Sequence, residues 1–179
     1  MKHPLAHLTA AQRKKYFWSF LALTLALTLV MQRLDGALKT PASPGGIVSF
    51  ELAGNAQTAD DILTHWDADA RLHAAFGLGF DYLYMLAYAV TLALAALWAR
   101  ARASGIMRRA GEALAWSMGL AALADATENY FLWQMLIHGA NNTAASTARA
   151  AALLKFTLLI LTLLYLIPAL FTRTKEASP

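Results

Sequence analysis

Four runs of mostly apolar residues set the limits of what this chain can fold into. A helix needs roughly 20 such residues to cross about 30 Å of hydrocarbon. The first run is Tyr16–Leu34 (YFWSFLALTLALTLVMQRL); the others are about Ala74–Trp98, about Glu112–Ile137 and about Ala150–Phe171. Of the 179 residues, 58% are hydrophobic and only 15% are charged, against about 25% charged in ordinary soluble domains. A soluble fold of this length would lack the polar surface to cover its core, whereas a membrane fold is covered by lipid. The sequence therefore reads as an all-α membrane protein, a single polytopic domain over 1–179. The expected architecture is a four-transmembrane-helix bundle with an outer (periplasmic) loop, 35–73, containing a short helix.

Lys and Arg give the orientation. Lys2, Arg13, Lys14 and Lys15 precede the first run; Arg100, Arg102, Arg108 and Arg109 join the second to the third; Arg173 and Lys175 follow the fourth. The opposite side holds Arg33, Lys39, Arg71 and Arg149, with Lys155 just inside the fourth run. Both termini are expected in the cytoplasm. The net charge of +4 is then a topology signal, and the expected partner is the lipid bilayer, with no nucleic acid. The cysteine-free, alanine-rich, arginine-flanked composition suggests the bacterial inner membrane. Without cysteine there are no disulfides, thiolate metal sites or cysteine nucleophile. A charged start before an apolar run also describes a secretory signal. No small-x-small cleavage pattern follows Val30, where Met31, Gln32, Arg33 and Leu34 stand, so an uncleaved anchor is expected.

The 35–73 loop is too long for a turn. After the breaker-rich Thr40–Gly46, the apolar Ile47–Gly54 is too short to span and reads as an interfacial or re-entrant piece, or a strand over the bundle. Thr58 with Asp61 three residues on resembles an N-cap, predicting a helix over Ala59–Trp66; Asp67 is placed to cap the next one. The loop is expected to act as a lid.

Ionisable residues at membrane depth cost a few kcal/mol each and generally face the protein interior. In the second run Asp81, Tyr84 and Tyr88 are spaced i, i+3, i+7; in the third Asp125, Glu128 and Asn129 are spaced i, i+3, i+4. Each set shares one helix face, and Ala121 and Ala122 continue the second face with small residues suited to close helix approach. At about 1.5 Å per residue, Asp81, Glu128, Asn129 and Lys155 all fall roughly 8–14 Å below the outer ends of their helices. One polar cluster under a roof carrying Glu51 is expected. Three carboxyls beside one ammonium cannot all be charged in a dry site, so at least one acid is expected to keep its proton.

Three readings follow. In the first, the cluster binds a lipid or small amphipathic ligand, with Asp81, Tyr84, Tyr88, Asn129, Lys155 and Glu51 as ligand-binding residues. Asp125 and Glu128 would be the catalytic acid–base pair if chemistry is done. In the second, acids in a membrane mark the path of a proton- or ion-coupled carrier. In the third, the polar residues only clasp the helices. No cofactor is expected, although carboxylates and an amide at Asp81, Asp125, Glu128 and Asn129 have the chemistry of a hard divalent cation site. His65, His73 and His138 show no metal-ligand spacing and read as interfacial. Trp98, Trp116 and Trp133 read as interface or packing residues, and Gly77 and Gly79 as close-packing or flexible positions. Asn141–Thr143 (NNT) matches a glycosylation sequon.

The segments Phe50–Gly54 (FELAG), Phe80–Tyr88 (FDYLYMLAY) and Ala124–Asn129 (ADATEN) resemble those of small bacterial four-span integral membrane proteins. The resemblance covers most of the chain and implies the same topology and the same marked residues, but no activity. Neither the N-D-x-x-D pattern of prenyltransferases nor the D-G-x-x-A-R pattern of head-group transferases occurs.

Overall fold

A computed structural model describes residues 3–171, with side chains through Pro168. Lys2, Arg173 and Lys175, counted above for orientation, lie outside the described residues. The described chain is helical. After a 3-10 turn at Pro4–His7 come α1 (Ala10–Gly36), α2 (Ile47–Glu51), α3 (Ala56–His65), α4 (Ala68–Arg102), α5 (Gly105–His138) and α6 (Asn142–Phe171).

Side chains fix where these helices begin. Thr9 and Gln12 form a reciprocal capping box at the start of α1. Asp67 accepts the Ala70 N–H at 2.8 Å, as its position suggested. The α3 cap is Asn55, which accepts the Thr58 N–H at 2.8 Å, so the Thr58 assignment is corrected by three residues and the helix starts earlier than expected. Asn141 of the sequon caps α6 by accepting the Ala144 N–H at 2.8 Å. Within the apolar Ile47–Gly54 piece, Ile47–Glu51 form a one-turn helix, not a strand.

Helices α1, α4 and the Asn142–Pro168 part of α6 are long and apolar enough to cross a membrane. The third sequence run, within α5, does not join them: Asp125, Glu128 and Asn129 interrupt its apolar character. Apart from Leu27 every residue of α1 is at least partly exposed, including Trp18, Leu25 and Leu29. A helix apolar on all sides and open on most of them needs lipid around it.

α5 packs along both α4 and α6, while α1 lies against α4 and has little contact with α5 or α6. Small residues line the close approaches. Ala93, Ala96, Ala115 and Ala121 are all buried, and a Cβ on Gly111 would strike the Tyr165 hydroxyl and Arg100. Gly77 and Gly79 do not belong to this group: a Cβ on either meets nothing within 4 Å, so the close-packing reading is corrected. His3 on Trp116 (4.9 Å) and Phe17 near Trp98 (6.2 Å) put the start of α1, the end of α4 and the start of α5 at one end. That end carries Arg13, Lys14, Lys15, Arg100, Arg102, Arg108 and Arg109.

The loop at the opposite end is built onto Trp66. Its indole N–H donates to Leu38 O at 2.9 Å and lies 3.1 Å from Ser43 Oγ, and its ring meets Phe50 edge-on at 5.2 Å. Asp35, at the end of α1, accepts the Ile47 N–H at 2.7 Å and so anchors the first turn of α2. Together these hold Glu51 over the bundle.

Candidate functional site

The polar residues form a layer between two apolar cores. Toward the loop, Phe50, Ile62, Trp66, Leu78, Leu132, Met135 and Ala148 pack together; toward the basic end, Met85, Ala93, Leu97, Ala115, Met118 and Ala121 do so. Between them lie Asp81 on α4, Asp125, Glu128 and Asn129 on α5, and Lys155 on α6, all buried.

Hydrogen bonds join α4 to α5 in this layer, and charge joins α5 to α6. Lys155 Nζ donates to Asp125 Oδ1 and to Glu128 Oε1, both at 2.9 Å. The Tyr88 hydroxyl donates to Asp125 Oδ2 at 2.7 Å, and Asn129 Nδ2 donates to Asp81 Oδ2 at 2.7 Å. The acidic stripes of α4 and α5 therefore face each other, and α6 supplies the ammonium. Glu51 stands above, its Oε2 3.8 Å from Lys155 Nζ. That is an ion-pair distance but not a hydrogen bond. Glu51 Oε2 is buried without a hydrogen-bond donor, whereas Glu128 Oε2 lies 2.9 Å from Lys155 Nζ. Burial, followed by the nearby acids Asp125 and Asp35, pushes the Glu51 carboxyl above its ordinary range, with Lys155 and Glu128 opposing the rise.

A cavity of about 430 Å³ runs along this layer, within the roughly 300–1,000 Å³ usual for small-molecule sites. Its polar end is lined by Glu51, Asp81, Tyr84, Tyr88, Asp125, Asn129 and Lys155; its apolar wall includes Leu21, Met31, Leu34, Leu92, Leu159 and Leu163. That wall comes largely from α1 and α6, which scarcely touch each other, so the cavity lies at the seam between them.

Seven of the eight sequence-marked residues line the cavity. Glu128 does not, being fully enclosed behind Lys155. Asp125 lines it with both oxygens engaged, leaving Asp81 and Glu51 as the lining acids with an oxygen that takes no hydrogen bond. Among the described residues no group of three or more His, Asp or Glu side chains is placed to hold a metal ion. Lys155 Nζ stands between the carboxylates of Asp125 and Glu128, where a divalent cation at those acids would have to displace it. His65 and His73 are occupied locally, by Asp61 O at 2.7 Å and Asp69 O at 2.9 Å.

Sequence reasoning missed the contribution of α1. Thr24 Oγ1 is 3.1 Å from Thr91 Oγ1 and Thr28 donates to the Tyr84 hydroxyl at 3.3 Å, tying α1 to α4 along the cavity. The signal was present as threonines four residues apart in an apolar run. Comparison with protein-family models, curated proteins and solved structures gives no match to this chain.

Proposed function

We propose that the chain is a four-span protein of the bacterial cytoplasmic membrane, with both termini cytoplasmic, that binds a lipid or small amphipathic ligand at the α1–α6 seam. The fourth span is α5. At about 1.5 Å per residue its 34 residues are long enough, and residues 103–104 and 139–141 are connections too short to let it do anything but run back beside α4 and α6. Its acids face the bundle, as intramembrane acids must. The shared basic end supports a cytoplasmic assignment for that side.

The observation that carries the binding reading is the cavity's divided wall, apolar along α1 and α6 and polar at the buried layer. A ligand with a chain and a head matches both parts. Binding is favoured over catalysis because Glu128 is walled off and both oxygens of Asp125 are occupied. Acid–base chemistry, if any, starts from Asp81 or Glu51.

The test is native mass spectrometry of protein purified in mild detergent. A one-to-one adduct is expected in the wild type and is lost in Gly77→Phe, whose side chain starts in open space at the cavity wall. A folded wild type with no adduct, or an adduct retained by a folded Gly77→Phe, contradicts the reading.

A further inference from the structure

We propose that the head group taken by this cavity is cationic, an ammonium on an apolar chain, received by Glu51 and Asp81. The inference rests on the binding reading above and names its ligand class.

Most donors at the polar end are already committed, the exception being the Tyr84 hydroxyl, which receives Thr28 and keeps its own proton. Lys155 serves Asp125 and Glu128, Tyr88 serves Asp125, and Asn129 serves Asp81. Thr24 and Thr91 back-bond to Phe20 O and Ala87 O, both at 2.8 Å. Acceptors remain. Asp81 takes one hydrogen bond, on Oδ2, and its other oxygen takes none. Glu51, only 7% exposed, has Oε2 buried and without a donor although it lines the cavity. A buried acceptor left unmade costs its full desolvation, so a ligand supplying the donor gains that back.

Charge points the same way. Glu51, Asp81, Asp125 and Glu128 gather around one ammonium, which already contacts three of them. A phosphate or carboxylate head would add negative charge to this set and find Lys155 occupied. An ammonium brings the missing donors, and its contacts become charge-assisted as Glu51 gives up the proton that its burial favours. The apolar wall at the seam accepts its chain from the lipid side.

Three amphiphiles with one chain and different heads decide the matter: dodecylamine, dodecanol and dodecyl phosphate, each titrated into delipidated full-length protein and read as one-to-one adducts by native mass spectrometry. The amine is expected to bind more tightly than either competitor by about tenfold, the size of one charge-assisted hydrogen bond over a neutral one. Glu51→Gln and Asp81→Asn should each shrink that preference while leaving the alcohol adduct in place. Alcohol or phosphate binding as tightly as the amine overturns the inference while the cavity reading stands. An amine preference unchanged in both variants overturns it too. If none of the three binds, the cavity reading itself falls. The wild-type ranking decides alone should a variant fail to fold.

Discussion

Lys155 of α6 holds Asp125 of α5 at 2.9 Å, and the other oxygen of that carboxylate takes the Tyr88 hydroxyl of α4 at 2.7 Å. One acid thus joins three helices at the level where the two apolar cores part. Breaking a buried pair by removing one partner costs about 3–5 kcal/mol, because the charge left behind has nowhere to go. Lys155→Met strands Asp125 and Glu128 together, so its unfolding temperature in detergent should fall steeply. Adding Glu128→Gln to that variant removes one stranded acid and should restore part of the loss. A Lys155→Met protein as stable as wild type contradicts this account of the layer.

The two tyrosines should behave differently. Tyr88→Phe leaves Asp125 Oδ2 without its donor, a loss of about 1–3 kcal/mol for a buried acceptor. Tyr84 only receives Thr28 at 3.3 Å, a long contact, so Tyr84→Phe should cost well under 1 kcal/mol, about the weak end of such bonds. Equal losses in parallel denaturation curves would show that the Tyr88 bond is not special.

The roof depends on Gly46. Its φ is +61°, and a Cβ there would run into the Asp35 carboxylate that anchors α2. Gly46→Ala should therefore cost more than about 1 kcal/mol, and the cost should be local. Hydrogen exchange is expected to speed up over 35–66 while α4 to α6 stay protected. Gly79→Ala, in open space within a helix, should instead be neutral to stabilising, by up to about 1 kcal/mol. Uniform loss of protection in Gly46→Ala would argue against a separately anchored roof.

Glu51 gives the roof a pH dependence. Its folded value is raised, chiefly by burial, with Lys155, Glu128, Asp125 and Asp35 around it. Above the ordinary glutamate value of about 4.3 the unfolded chain releases this proton while the folded chain keeps it. The folded state then binds more protons, so stability falls as pH rises from there toward the raised value. Glu51→Gln removes this contribution. The stability of wild type relative to Glu51→Gln should decline as pH increases through that window, and a flat or rising difference would contradict the assignment.

Much of the site was legible in the sequence because buried ionisable residues in apolar runs have few places to go. The i, i+3, i+7 and i, i+3, i+4 spacings put each set on one face and helix depth gathered them into one cluster; that Asn129 meets Asp81 and Tyr88 meets Asp125 is seen only in the structure. The spacing could not tell which acid faces the cavity and which is sealed behind it, since that depends on where Lys155 ends, and so Glu128 was read as more accessible than it is. The Asn55 cap was overlooked in favour of Thr58 because both are good caps three residues apart. The α1 threonines were not singled out because they look like ordinary members of an apolar helix. Their role emerges only once Thr24 meets Thr91 across the cavity wall.

Photolabelling tests the central claim most directly. A long-chain amine carrying a diazirine in its tail, irradiated with the protein in lipid nanodiscs and mapped by peptide mass spectrometry, should label the cavity-facing positions Leu21, Met31, Leu34 and Leu159. An excess of unlabelled dodecylamine should suppress that labelling, and Gly77→Phe should abolish it. Labelling spread without competition over outward-facing residues such as Leu123, Leu153 and Leu161 would mean that the probe meets only the lipid-exposed surface, and that the polar layer binds no ligand.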